Sequence, residues 1–156
     1  MIDENPVRPV RADEAETCAD PSSVMSLLGE NTEHTTYRST FAEGAVGAPA
    51  HFHTRATELF FVLDGALRVL VDDRVVLLER GDFLAVPPRT PHAFAAAKGR
   101  TADVLFTFTP GLGRFGYLRL LGRVTRGEAD PAEIRESAER YDNHYVDSPV
   151  WQAELG

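Results

Sequence analysis

Between Val24 and Thr109, apolar residues come in short segments, some alternating and some dense, each closed by turn residues. That rhythm predicts β-strands, because side chains two apart share one face of a strand. Thr35–Phe41 alternates, which puts Tyr37, Ser39 and Phe41 on one face and Arg38 on the other. Glu58–Leu63 is a dense apolar run ended by Asp64-Gly65, a dipeptide that favours a tight hairpin. Leu67–Val71 and Val75–Leu78 flank a second turn at Asp72-Asp73, and Arg80-Gly81-Asp82 precedes Phe83–Val86. His92–Ala97 and Val104–Phe108 complete the set, and β-branched and aromatic residues fill it, as a pleated surface prefers.

The period changes after Pro110. Phe115, Leu118, Leu120 and Leu121 are spaced for a helix over Gly111–Val124. Asp130-Pro131 opens a second helix, Ala132–Tyr141, with Asp130 as N-cap and Pro131 in the first turn. The stretch from Tyr141 to Trp151 is aromatic but irregular, with His144 on a solvated tail and the Trp151 indole buried against the body or against a second subunit. Strands first and helices last predict an all-β, antiparallel domain with a short C-terminal helical appendage. The expected division is an acidic N-terminal arm over 1–20, a barrel over 21–110 and a helical tail over 111–156 packed on it.

Composition narrows the function. A chain of 156 residues with 43% hydrophobic content suits one domain with a true core. A formal charge of -8 without a basic stripe argues against a nucleic-acid partner. No apolar run reaches membrane-spanning length, and the polar, acidic N-terminus does not read as a signal peptide, so the expected location is cytoplasmic. Cys18 is the sole cysteine, which excludes an internal disulfide and predicts an inert thiol.

Three of the five histidines fall in two short segments of this apolar pattern. His51 and His53 are two apart and project together from a strand, with Phe52 outward. Glu58 has the opposite parity, which a bend at Thr54–Thr57 would reset, returning it to the interior ahead of Phe60 and Val62. His92 must come from a distant strand, set by the turn that Pro87, Pro88 and Pro91 stiffen. Three imidazoles and a carboxylate are a ligand set for a borderline divalent metal.

The spacings themselves carry a resemblance. His51-Phe52-His53, Glu58 and Gly65, followed by Gly81, Pro87 and His92, form the two-part signature of the cupin superfamily, which the chain resembles from Tyr37 to Phe108. The text ELFFVLDGALRVL and GDFLAVPPRTPHAF looks like single-domain bacterial cupins similar to quercetin 2,3-dioxygenases. The resemblance implies a double-stranded β-helix, or jelly-roll barrel, with His51, His53, Glu58 and His92 as metal ligands. Three positions depart from the family pattern. Gly44 lies one residue farther from His51 than usual, Arg89 stands where a turn glycine is common, and Ala96 stands where Asn is frequent.

One divalent transition metal per chain is expected, with Fe, Ni, Mn, Co, Cu and Zn all compatible with such ligands. The leading expectation is a dioxygenase that uses O2 on a flavonol-like or other enolisable small molecule, with Glu58 as catalytic proton acceptor. Tyr37, Phe60, Phe94, Phe106 and Phe108 are candidates to wall its pocket. A non-redox isomerase, cyclase or decarboxylase uses the same four ligands, and a non-catalytic binding cupin is the third reading. Tyr117 is expected to pack against the barrel, and His34 to sit in a loop. A homodimer that covers an exposed sheet edge is the expected assembly.

Overall fold

A computed structural model describes residues 7–156; the first six residues of the expected arm lie outside it. In chain order the strands are β1 (Glu16–Ala19), β2 (Ser23–Glu30), β3 (Thr35–Phe41), β4 (His51–Phe52) and β5 (Thr57–Val71). They continue with β6 (Arg74–Glu79), β7 (Phe83–Val86), β8 (His92–Ala96), β9 (Ala102–Thr109) and β10 (His144–Tyr145). The helices are α1 (Arg114–Thr125), α2 (Ala132–Glu136), α3 (Ala138–Tyr141) and α4 (Pro149–Leu155). All the strand pairings are antiparallel, in the order β1-β2-β3-β9-β5-β8-β4-β10, with β6 and β7 also paired to β5. This is the all-β antiparallel domain with short C-terminal helices that the pattern predicts, in the jelly-roll form that the resemblance implies.

The fold turns on β5. Its first half, Thr57–Gly65, pairs with β9 and partly with β7, while Ala66–Val71 pairs with β6 and β8. One long strand therefore belongs to both sheets and joins them. The passage between sheets lies at Asp64-Gly65, so the hairpin expected there does not form. Instead the register slips between Val62 and Asp64, Gly65 takes φ 73°, and Ala66 N–H bonds to Thr101 O at 3.0 Å. A Cβ on Gly65 would stand 2.0 Å from that carbonyl, so the glycine serves a bulge and a close backbone approach rather than a reversal. The turn at Asp72-Asp73 does reverse the chain, with Asp72 at φ 55°.

Aromatic rings fill the space between the sheets. Phe60, Phe106 and Phe108 are buried, and Phe106 lies 5.0 Å from both Tyr37 and Phe94 and 5.1 Å from Phe60. Each fully buried ring is worth about 1.5–3 kcal/mol of transfer free energy. In β3, Tyr37, Ser39 and Phe41 are buried, while Arg38 is exposed and pairs with Asp103, as the alternation predicts.

Three local expectations are corrected. Glu16–Ala19, read as part of an arm, forms β1 against β2 and buries Cys18. The helix expected over Ala132–Tyr141 is two short ones broken at Ser137, whose hydroxyl bonds back to Ile134 O at 2.7 Å. Asp130 still caps the first of them, accepting the Ala132 N–H at 2.8 Å. The segment read as irregular contains β10 and α4, because Tyr145 pairs with His51 and Ser148 Oγ accepts the Trp151 N–H. Trp151 is buried among Ala50, Leu70, Ala93 and Ala95 in a second, smaller core.

Candidate metal centre

The predicted site residues converge from three strands. His51 on β4 lies directly opposite His92 on β8. The chain bends at Thr54–Arg55, so Glu58 enters β5 with its side chain inward, in register with Phe60 and Val62. The ligand atoms of His51, His53, Glu58 and His92 all lie within 4.8 Å of one another, and all four residues are buried.

The hydrogen bonds around the imidazoles fix their tautomers. His51 Nδ1 donates to Pro49 O at 2.7 Å, His53 Nδ1 to Asp142 O at 2.7 Å, and His92 Nδ1 to Thr90 O at 2.8 Å. A carbonyl oxygen only accepts, so each Nδ1 carries a proton, and the neutral tautomer this selects turns the Nε2 lone pair inward. Those Nε2 atoms stand 4.0, 3.1 and 2.5 Å from Glu58 Oε2 for His51, His53 and His92. Neutral rings and an ionised carboxylate thus bring four acceptors together with no donor between them, an arrangement that requires a shared proton or a cation. The donor set of three nitrogens and one oxygen, with backbone carbonyls orienting each ring, fits a divalent transition metal.

Electrostatics agree with that preference. Burial, followed by repulsion from the other two histidines, holds His51 well below the ordinary imidazole value, and burial also lowers His53. For Glu58 burial opposes ionisation, but the charge and hydrogen bonds that the facing His92 and His53 rings supply when a proton is shared there hold the carboxyl well below its usual range. The unfolded chain therefore binds more protons than the folded one below the normal imidazole value of 6.5. The stability of chelator-treated protein is expected to be level above that value and to fall as pH drops through it. A thermal melting midpoint that rose between about pH 7.5 and about pH 5.5 would contradict this sign. Bound metal steepens the loss, since protons compete for the same lone pairs.

The bend that carries His53 is held from outside the barrel. Asp142, at the end of α3 with φ 53°, accepts from Thr54 N–H and Arg55 N–H at 2.8 Å each and from the Thr54 hydroxyl at 2.6 Å. Across the bend, Arg89 N–H donates to His53 O at 2.6 Å. Arg89 takes φ 64°, the left-handed conformation that a glycine would adopt freely, so the departure noted in the sequence places strain next to a candidate ligand. His144 is not on a solvated tail: it pairs with Phe52 in β10, stacks on it at 5.1 Å and lies 3.2 Å from Asp142.

A cavity of about 210 Å³ reaches this centre, with His51 and Glu58 in its wall. Tyr37 and Phe94 line it as expected, whereas Phe60, Phe106 and Phe108 lie outside its lining and pack in the core, Phe108 edge-on to His53 at 5.1 Å. Helix α1 forms one side through Arg114, Tyr117, Leu118 and Leu121. Tyr117 therefore lines the cavity as well as packing, and its hydroxyl lies 2.5 Å from that of Tyr145. Burial raises both Tyr37 and Tyr117, so both phenols stay protonated. Arg114 and Asn143 were not legible as site residues; a helix-start arginine and a tail asparagine carry no motif.

Comparison with known proteins bears on this geometry. Residues 37–108 match the family model described as Cupin domain. Over those residues the chain is similar to cupin domains. That segment includes β3 from Tyr37 onward, all four clustered residues and β9 as far as Phe108. A quercetin 2,3-dioxygenase from Bacillus subtilis is 33% identical over 83 residues, which is 53% of this chain and 24% of that protein. The chain thus spans about a quarter of that relative's length. Among solved structures, an RmlC-like cupin from Shewanella frigidimarina aligns with TM-score 0.62 and 23% identity, over 70% of this chain and 96% of its own. KdgF from Halomonas aligns with TM-score 0.61 and 23% identity over 67% and 94%. Streptomyces PAC13 with uridine aligns with TM-score 0.61 and 13% identity, over 94% of this chain and 97% of its own.

Proposed function

We propose that this protein is a metal-dependent cupin dioxygenase that acts on a small enolisable aromatic or polyketide molecule. The observation that carries the reading is that His51 and Glu58 belong both to the four-acceptor cluster and to the wall of the cavity. His51, His53, Glu58 and His92 would hold one divalent transition metal. When bound, that ion supplies Lewis-acid polarisation of a substrate oxygen and, if redox-active, a path for electrons to O2.

The chain's own residues do the rest. Glu58, held ionised, accepts the proton of the substrate hydroxyl at a carboxylate oxygen, since a base must lie within hydrogen-bond reach of the proton it takes. The aromatic and aliphatic walls, among them Phe41, Phe94 and Leu118, keep water away from the resulting enolate. The similarity to a quercetin 2,3-dioxygenase over half the chain supports the choice of oxygen chemistry.

A second reading has its own support. Tyr37 and Tyr117 are protonated phenols in the cavity wall, and proton donors opposite a carboxylate base serve an isomerisation or elimination without oxygen. An oxygen electrode separates the two. With metal-loaded protein and a flavonol such as quercetin, one O2 is expected to disappear per substrate consumed. Turnover that continued unchanged under anaerobic conditions would refute the dioxygenase and favour the proton-transfer reading.

A further inference from the structure

The cavity contains a second polar group that the metal chemistry does not use. Arg114, the first residue of α1, is only 5% exposed. Its guanidinium lies between two rings, 4.6 Å from the centre of Phe108 and 4.1 Å from that of Tyr117. Nη2 donates to Asn143 Oδ1 at 2.9 Å and Nη1 to Tyr141 O at 3.4 Å, both neutral acceptors. Nε has no partner among the described residues, and no carboxylate among them forms an ion pair with this arginine.

Asn143, 2% exposed, repeats the pattern. Its Oδ1 is committed to Arg114, which fixes the amide orientation and leaves Nδ2 without a partner among the described residues. Both residues line the cavity that His51 and Glu58 also line. A buried cation is normally paired, and a buried N–H without an acceptor loses the hydrogen bond it would make in water. Two such residues side by side in one cavity wall are therefore unsatisfied until a ligand supplies acceptors.

We propose that Arg114 and Asn143 form an anion subsite that anchors a carboxylate of the substrate beside the metal centre. The planar guanidinium presents Nε–H in the geometry that carboxylates favour, and the Asn143 amide adds an N–H donor next to it. Met25, Phe41, Phe94, Leu118 and Leu121 make much of the remaining wall apolar, although Asp20, Ser23, Ser39 and Thr125 also line it, so the ligand class is a small carboxylic acid with an aromatic or branched body. This inference rests on the proposed reading of the cavity as the substrate site, and it holds for the oxygen-dependent and oxygen-independent chemistries alike.

Calorimetric titration with benzoate and with neutral benzamide tests it on the full chain, both metal-loaded and chelator-treated. Benzoate is expected to bind at least about tenfold more tightly than benzamide in both forms, the margin of one charge-assisted hydrogen bond. Asn143→Asp places a carboxylate on Arg114 and is expected to abolish that preference while circular dichroism and metal content stay at wild-type values. Arg114→Gln, a second variant that keeps a planar side chain against the rings, is expected to abolish it too. Equal binding of the two probes by wild-type protein would overturn the subsite. So would a benzoate preference confined to the metal-loaded form and unchanged in Asn143→Asp, since the anion would then be held by the metal alone. Because these are binding measurements, a failure of the oxygen-consumption test leaves them intact.

Discussion

Alanine in place of His51, His53 or His92 is expected to strip the metal from the protein. Each ring supplies one inward lone pair to a buried cluster in which no neighbouring residue can replace it. Partners that merely orient a ligand are worth about 10- to 100-fold in metal affinity, so loss of a ligand should exceed about a hundredfold. Elemental analysis after dialysis reads the effect as metal per chain falling from one toward zero. A thermal melt adds an internal control: the variants should lose the stabilisation that added metal gives the wild type, because that gain depends on binding to the folded state. If all three variants kept a full equivalent after dialysis, the assignment of these side chains as ligands would be wrong.

The second large effect concerns Glu58. Glu58→Gln keeps the shape of the side chain and one oxygen that can still face the histidines, but removes the charge and the ability to accept a proton. Turnover is expected to fall by about 10²- to 10⁴-fold, the usual contribution of a positioned general base. The loss should appear in kcat rather than KM, with weakened metal binding restored by saturating metal. A decrease of less than about tenfold at full metal occupancy would remove Glu58 from the proton-transfer role and leave it a ligand only.

The cluster was readable in the sequence because its spacings follow strand geometry. Two histidines at i and i+2 share a face, and the bend needed to bring Glu58 back to it falls at Thr54–Arg55. The alternation in β3 was legible for the same reason, since local periodicity reports which face is covered, whereas Trp151 was expected to be buried from the size and apolar body of its indole. The hairpin expected at Asp64-Gly65 failed because that dipeptide's capacity for positive φ is used by a bulge, and only the pairing of β5 with strands of both sheets reveals it. The walls of the cavity were least legible. Phe60, Phe106 and Phe108 have the composition of a pocket and the position of a core, whereas Arg114 and Asn143 meet across 29 residues of chain that no local pattern connects.

Asp142 has a consequence for how the protein is made. All four candidate ligands lie before Thr109, yet the bend bearing His53 is tied down by a residue from the tail. A nascent chain that has completed β9 but not α3 therefore has the whole ligand set and lacks its clamp. The placement of His53 therefore waits for the tail to dock, so the cluster takes its final form only in the finished molecule.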